Sequence, residues 1–136
     1  NKYLIPTGVF KKVKNSIYDF LGFGNIGKKL NYFKKKKLNA KFKGFDTTFV
    51  IKKNSRNFVG SLKNNKSNIE VNFFSNLPGV QLYSAQNLKY KKKLFPYQGI
   101  CLETQYFPDT PNKKNFPSTL IKPNKKYTCF TKIKIT

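Results

Sequence analysis

Apolar and polar residues alternate along short segments of this chain, and that alternation is its dominant pattern. Three segments show it most clearly, with an apolar side chain at every second position: residues 69–73, 80–84 and 132–136. A period of two is typical of a β-strand that buries one face and leaves the other in water. Residues 48–51 and 58–62 are shorter apolar stretches of the same kind. The pattern therefore predicts several short strands.

Residues that favour turns separate these strand candidates. Pro78 and Gly79 stand between two of them, and the Asn-rich run at 64–68 is typical of a hairpin turn. Helical periodicity is weak and is confined to residues 25–35, where the apolar side chains fall on one side of a short helix. Several short strands joined by turns indicate an all-β fold, an antiparallel β-sandwich rather than a barrel of alternating strands and helices.

The chain is strongly basic, with 28 Lys and Arg residues against five Asp and Glu residues and a formal net charge of +23. Arg56 is the only arginine. Recognition of base edges and bidentate binding of phosphate rely on the planar Arg fork, which the point charge of Lys does not replace. The lysines are also scattered over all segments. We therefore interpret the charge as solvated surface and expect no specific nucleic-acid partner, with a Lys-rich polyanion-binding module as an alternative.

The two cysteines, Cys101 and Cys129, lack the spacing of metal ligands and the chain contains no His, so no metal site is predicted. Cys101 lies in an apolar segment, and we expect its thiol to be buried.

No apolar run reaches the length of a membrane span, and no signal-peptide pattern is visible. These observations favour a reducing, cytoplasmic setting without a membrane partner.

One carboxylate, Glu103, follows the apolar residues Ile100, Cys101 and Leu102, and a proline-rich segment comes after it. We expect this carboxylate to be half-buried and held in a fixed direction, which suits proton transfer to a neutral hydroxyl group. The alternative is a structural role, in which Glu103 pairs with one of the many lysines.

The residues around Glu103 resemble a known family. The run Leu-Glu-Thr-Gln at 102–105, with the Tyr-Phe-Pro-Asp that follows, resembles the C-terminal signature of the aldose 1-epimerases, or galactose mutarotases. Four further segments resemble landmarks of the same family in the same order. They are Leu-Ile-Pro-Thr-Gly at 4–8, Tyr-Asp-Phe at 18–20, Gly-Phe-Asp-Thr-Thr-Phe-Val at 44–50 and Pro-Gly-Val-Gln-Leu-Tyr at 78–83.

The resemblance implies a fold and an activity. The fold is the galactose mutarotase-like supersandwich, of which residues 1–136 would be the C-terminal portion of a single domain. The activity is interconversion of the α and β anomers of free hexoses such as glucose and galactose, by general acid–base ring opening without a cofactor. The chain begins at Asn1 and contains no Met, so we expect a piece of a longer protein. The absent N-terminal portion of the same domain would be its partner and would supply a histidine as the general acid.

The resemblance also implies roles for three residues. Glu103 would be the catalytic base, and Asp46 and Gln81 would bind the hydroxyl groups of the aldohexose. We expect Glu103 at the end of a strand, with its carboxylate on a concave face shared with Asp46 and Gln81. An ordinary polar position on a strand remains the alternative for Gln81. For the other carboxylates, Asp19, Glu70 and Asp109, we expect turn capping and pairing with lysines, with an Asx-type turn at Asp109.

Two departures from the family pattern concern the preferred sugar. Thr47 and Thr48 stand where the family has His and Asn, and Tyr106 stands where the family often has His. Apart from these departures, the first alternative to the enzyme is a mutarotase-like protein that has the same fold and binds carbohydrate without catalysis. We expect the 136-residue chain alone to be inactive, because it has no histidine to complete the acid–base pair.

Overall fold

The computed structural model describes residues 1–36, 42–91 and 93–136. Its regular structure is mostly strands, which form two antiparallel sheets, and the predicted all-β class is confirmed. The elements within the described ranges follow in chain order: α1 (Ile26–Lys35), β1 (Asp46–Val50), β2 (Phe58–Asn64), β3 (Ile69–Ser75), β4 (Gly79–Tyr83), β5 (Cys101–Gln105), a 3-10 turn (Thr110–Asn112) and β6 (Thr131–Ile135).

The strands are ordered β1-β4-β5 in one sheet and β2-β3-β6 in the other. The second sheet begins with the hairpin predicted around residues 64–68. Asn64 pairs with Ile69 across the turn, and the Asn64 side-chain oxygen accepts a hydrogen bond of 2.9 Å from the Lys66 amide. The predicted final strand is also present, since β6 pairs antiparallel with β3 from Ser75↔Thr131 to Val71↔Ile135.

Two compact units make up the chain. Unit 1 comprises Asn1–Thr47 and Leu82–Leu102, and unit 2 comprises Thr48–Gln81 and Glu103–Thr136. In unit 1, the side chain of Phe45 is fully buried and its ring meets three other rings edge-on. The centroid distances are 6.0 Å to Tyr18, 5.4 Å to Phe20 and 5.1 Å to Phe33.

The helix α1 confirms the prediction for residues 25–35. Asn25 caps its N-terminus, with its side-chain oxygen accepting a 2.9 Å hydrogen bond from the Lys28 amide. Leu30 and Phe33 are buried, whereas Lys28, Lys34 and Lys35 are exposed, as expected for an amphipathic helix. The helix therefore contributes Phe33 to the aromatic cluster around Phe45 in unit 1.

The core of unit 2 contains Phe73, Val80 and Phe107, which are all buried. The ring of Phe107 also packs edge-on against Phe116 at a centroid distance of 5.0 Å. At the end of β3, the hydroxyl group of Ser75 is buried and donates a hydrogen bond of 2.9 Å to the Phe130 carbonyl. This bond attaches the segment that precedes β6 to the end of β3. The local sequence pattern gives no indication of this contact, because the two residues are far apart in the chain.

Candidate active site

Glu103 is the third of the five residues of β5 and its side chain is exposed. The expectation of a half-buried carboxylate at the end of a strand was therefore wrong. Successive side chains of a strand point to opposite faces, so Cys101 and Glu103 share the exposed face while Leu102 is turned away from it. The apolar residues before Glu103 do not bury it for that reason. Cys101 is likewise exposed, which corrects the prediction of a buried thiol.

The chain that follows Glu103 is held in place by Phe107, which is buried in unit 2. Its ring lies against the backbone of Gly79 on β4: a Cβ built at Gly79 would lie 2.8 Å from Phe107 Cε1. A side chain at this position would therefore overlap with the ring, and only glycine permits the approach. This contact explains two parts of the quoted motifs, the Gly two residues before Gln81 and the Phe four residues after Glu103.

Asp109 ends this segment in a left-handed conformation, with φ 63° and ψ 22°, just before the 3-10 turn. Its carboxylate accepts hydrogen bonds from the side-chain NH₂ group of Asn112 at 2.5 Å and from the Lys113 ammonium at 2.7 Å. The bond from Lys113, followed by the bond from Asn112, lowers the pKa of Asp109. The predicted lysine pairing is confirmed, but the side chain does not cap the turn through a backbone amide, so the predicted Asx-type turn was wrong.

Gln81 is the third of the five residues of β4 and is half-buried. The hydroxyl group of Thr48, on β1, donates a hydrogen bond to the side-chain carbonyl oxygen of Gln81. The methyl group of Thr48 lies beside Gly79, where a built Cβ would be 3.2 Å from Thr48 Cγ2. Thr48 thus contacts two residues on the same face of β4. The sequence identified it only as a departure from the family pattern.

Asp46 begins β1, belongs to unit 1 and is half-buried. The two residues before it are tightly fixed within that unit. The Phe45 amide donates a 2.8 Å hydrogen bond to the buried Ser84 hydroxyl, and the Ser84 amide donates a 3.0 Å bond to the Phe45 carbonyl. A Cβ at Gly44 would lie 2.7 Å from Gln86 Oε1, so the backbone approaches these polar side chains at a distance that only glycine allows.

The three expected site residues are thus distributed over three strands. Gln81 and Glu103 are the central residues of β4 and β5, which are neighbours in one sheet, and both belong to unit 2. Asp46 belongs to unit 1. Their convergence on one concave face stays a prediction.

Asp19 behaves as expected for a capping residue in unit 1. Its carboxylate accepts hydrogen bonds from the backbone amides of Asn15 at 2.8 Å and of Leu21 at 3.1 Å. These two bonds lower the pKa of Asp19, because they stabilise the charged carboxylate. Glu70, on β3, lies directly opposite Lys63 of β2, an arrangement that brings opposite charges together across the hairpin.

Two other features bear on the class of site. Within residues 1–36, 42–91 and 93–136, no group of three or more His, Cys, Asp or Glu side chains is arranged to hold a metal ion. Over the same part of the chain, none of the helices is sufficiently long and apolar for a membrane crossing.

Comparison with known proteins identifies the same family that the sequence motifs resemble. The family described as Aldose 1-epimerase matches residues 1–134. The galactose mutarotase of Rattus norvegicus is 31% identical over 131 residues, and that of Homo sapiens is 32% identical over 131 residues. Each alignment covers 91% of this chain but 36% of the relative, so the chain spans little more than a third of the length of these curated relatives.

A solved structure shows the same fold. The GalM/aldose epimerase homologue from C. elegans matches 100% of this chain and 41% of its own, with a TM-score of 0.84 and 21% sequence identity. This likeness supports the predicted β-sandwich class. Because the family match extends over nearly the whole sequence and the fold agrees, the chain belongs to the aldose 1-epimerase family.

Proposed function

We propose that this chain carries the general base and two sugar-binding groups of a mutarotase that interconverts the α and β anomers of free hexoses such as glucose and galactose. The observation that carries the proposal is the family match over residues 1–134, with the Leu-Glu-Thr-Gln motif intact on β5. The exposure of Glu103 supports the role, because a carboxylate that must take a proton from a sugar has to be accessible to it.

The reaction needs two proton transfers and no net change in oxidation state. Glu103 takes the proton of the anomeric hydroxyl while a general acid protonates the ring oxygen. The C1–O5 bond breaks as a C1=O1 double bond forms, and the open aldehyde rotates about the C1–C2 bond. On closure, the O5 hydroxyl returns its proton to the general acid as O5 bonds to C1 on the other face of the carbonyl, and Glu103 returns its proton to O1, which gives the other anomer. Each positioned proton-transfer group contributes about 10²–10⁴ in rate.

The general acid must come from elsewhere, because these 136 residues include no histidine. We assign it to a histidine in the part of the relatives' length that this chain does not span, an N-terminal portion of the same domain. Exposed apolar side chains on the second sheet support this partner. Ile133 and Ile135 of β6 are 58% and 69% exposed, and a covering layer would remove this apolar surface from water.

Asp46 and Gln81 would hold the sugar in this proposal. A carboxylate accepts hydrogen bonds from sugar hydroxyl groups, whereas a carboxamide both donates and accepts. We place the protein in the cytoplasm, since its two cysteines are both exposed and unpaired, as in proteins of reducing compartments.

Polarimetry of freshly dissolved α-galactose with the full-length protein tests the proposal. We expect optical rotation to reach equilibrium much faster than in buffer alone. The non-catalytic carbohydrate-binding alternative predicts sugar binding by calorimetry with mutarotation at the buffer rate, and that result would overturn the proposal. Binding of heparin without binding of sugar would instead support the polyanion-binding alternative.

A further inference from the structure

We infer that β6 is an interior strand of the complete sheet: its outer edge, the side away from β3, pairs with a further strand from the part of the protein that this chain does not span. This inference rests on the proposed function, since that function assigns the remaining part to the same domain. The two portions would thus be joined by backbone hydrogen bonds at the edge of a strand.

The hydrogen bonds between β3 and β6 determine which backbone groups of β6 face outward. Just beyond β6, the Glu70 amide donates to the Thr136 carbonyl at 2.8 Å, and the Thr136 amide donates to the Glu70 carbonyl at 2.9 Å. In an antiparallel pair of strands, such mutually bonded residues alternate with residues that exchange no bonds. The register of β6 therefore makes Lys132 and Lys134 bonded residues, whose N–H and C=O groups face β3.

Ile133 and Ile135 alternate with the bonded residues, so their N–H and C=O groups point to the outer edge. Within the described ranges the order of this sheet is β2-β3-β6, and no strand pairs with that edge. Their side chains lie on the same face as the buried Phe73, yet they are 58% and 69% exposed. The apolar face of β3 thus continues onto a strand that offers unpaired backbone groups, which is a template for a further strand.

The two outer strands of this sheet differ in how they discourage further pairing. The register of β2 with β3 shifts between Phe58 and Gly60, and such a bulge is typical of a true edge. β6 pairs with β3 in regular register along its length. The ammonium group of Lys132 does not block the outer edge, because it lies 4.6 Å from the centroid of the Phe74 ring on β3. Lys134 lies on the same face as Lys132, perpendicular to the sheet, and leaves the edge accessible.

The protein's own further portion suits this edge better than a second copy does. The chain covers 36% of the length of its curated relatives, so most of that length lies outside it and could supply a strand. A stable dimer buries about 800 Å² on each partner, which a five-residue strand with two apolar side chains does not provide. A strand of the same chain needs no such area, because its effective concentration at the edge is high.

Hydrogen exchange of the full-length protein, measured by NMR, tests the inference with an internal control. The Lys132 and Lys134 amides bond to β3 whether or not a further strand is present. We expect the Ile133 and Ile135 amides to exchange within about tenfold of the rates of the lysine amides, because each bonds to the further strand. An alternating pattern, in which the isoleucine amides exchange faster than that limit, would overturn the inference. Protection that is lost on dilution, as a dimer dissociates, would assign the edge to a second copy and would also overturn it.

Proline substitutions give a second test by thermal unfolding of the full-length protein. Ile133→Pro removes an outward-facing N–H group, and Ile133→Ala is its matched control. Lys63→Pro and Lys63→Ala measure the cost of proline on β2, where the Lys63 amide also faces outward because Glu70 opposite bonds to Thr136. We expect proline to lower Tm relative to alanine by more at position 133 than at position 63, since only Ile133→Pro removes a hydrogen bond between strands. An equal or smaller loss at position 133 would contradict the inference.

Neither measurement depends on catalysis, so the two proposals fail separately. An inactive full-length protein with continuous protection along β6 would refute the proposed function alone. An active protein with the alternating pattern would refute the further strand alone. Exchange in the wild-type protein decides the question even where Ile133→Pro does not fold.

Discussion

The ring of Phe107 lies against the backbone of Gly79, so closely that a Cβ built at Gly79 would be 2.8 Å from Phe107 Cε1. Two segments that carry proposed site residues are joined by this contact within unit 2. Gly79 precedes Gln81 by two residues on β4, and Phe107 follows Glu103 by four residues, just after the end of β5. The contact therefore holds the segment after the proposed base, Glu103, against the strand of a proposed sugar-binding residue, Gln81.

Gly79→Ala tests this contact. The added methyl group would overlap with the Phe107 ring and crowd Thr48 Cγ2 at 3.2 Å. We expect a loss of about 1–3 kcal/mol in the free energy of unfolding, the usual cost of overpacking a core, measured by chemical denaturation. Gly60→Ala on β2 is the matched control, since a Cβ there has no atom within 4 Å. A Gly79→Ala protein as stable as Gly60→Ala would contradict the inferred contact.

Glu103→Gln tests the proposed base in the full-length protein. Gln retains the shape of Glu103 but has no basic oxygen, so we expect kcat to fall by about 10²–10⁴. Thermal stability should stay unchanged, because the side chain is exposed in β5 and the substitution removes no buried contact. Sugar affinity should also change little, since Asp46 and Gln81 would still bind the ring.

Glu70→Gln, another strand glutamate, is the control for Glu103→Gln. It should leave kcat close to wild type. A Glu103→Gln protein that unfolds at a lower temperature yet retains normal turnover would assign Glu103 a structural role and contradict the proposal.

Lys113→Met should raise the pKa of Asp109 toward its ordinary value, because the hydrogen bond from Lys113 is the largest cause of its lowered pKa. The folded state holds this pKa below that of the unfolded chain, which is about 3.9. The pairing therefore stabilises the fold above about pH 4, and this contribution is lost as the pH falls through the folded-state pKa. NMR titration of the carboxyl carbon measures the change, with Lys114→Met as the control. An Asp109 pKa that is equal in wild type and Lys113→Met would contradict the assignment.

The isolated 136-residue chain should show no mutarotase activity. With no histidine present, it has no side chain whose ordinary pKa lies near pH 7 to serve as the general acid beside Glu103. Polarimetry of α-glucose with the purified chain measures this directly, with the full-length protein as the positive control. Anomer interconversion well above the buffer rate would show that residues 1–136 contain both the acid and the base.

The local sequence pattern was sufficient to predict much of the secondary structure and to identify the family. The period of two predicted β3 and β6, the apolar spacing at 25–35 predicted α1, and the motif at 102–105 indicated the aldose 1-epimerases. These features depend on residues close together in sequence, because strand alternation, helix capping and short motifs are local properties. They could therefore be recognised without knowledge of the tertiary fold.

Only the tertiary structure determined which side chains meet and which are exposed. Thr48 and Gln81 are 33 residues apart in sequence, and Phe45 and Ser84 are 39 apart. No local pattern indicates such a pair, because each contact depends on how distant strands are placed next to each other. The exposure of Glu103 was also decided by the tertiary structure. Its apolar neighbours in sequence suggested burial, but burial depends on what packs against the face of the strand.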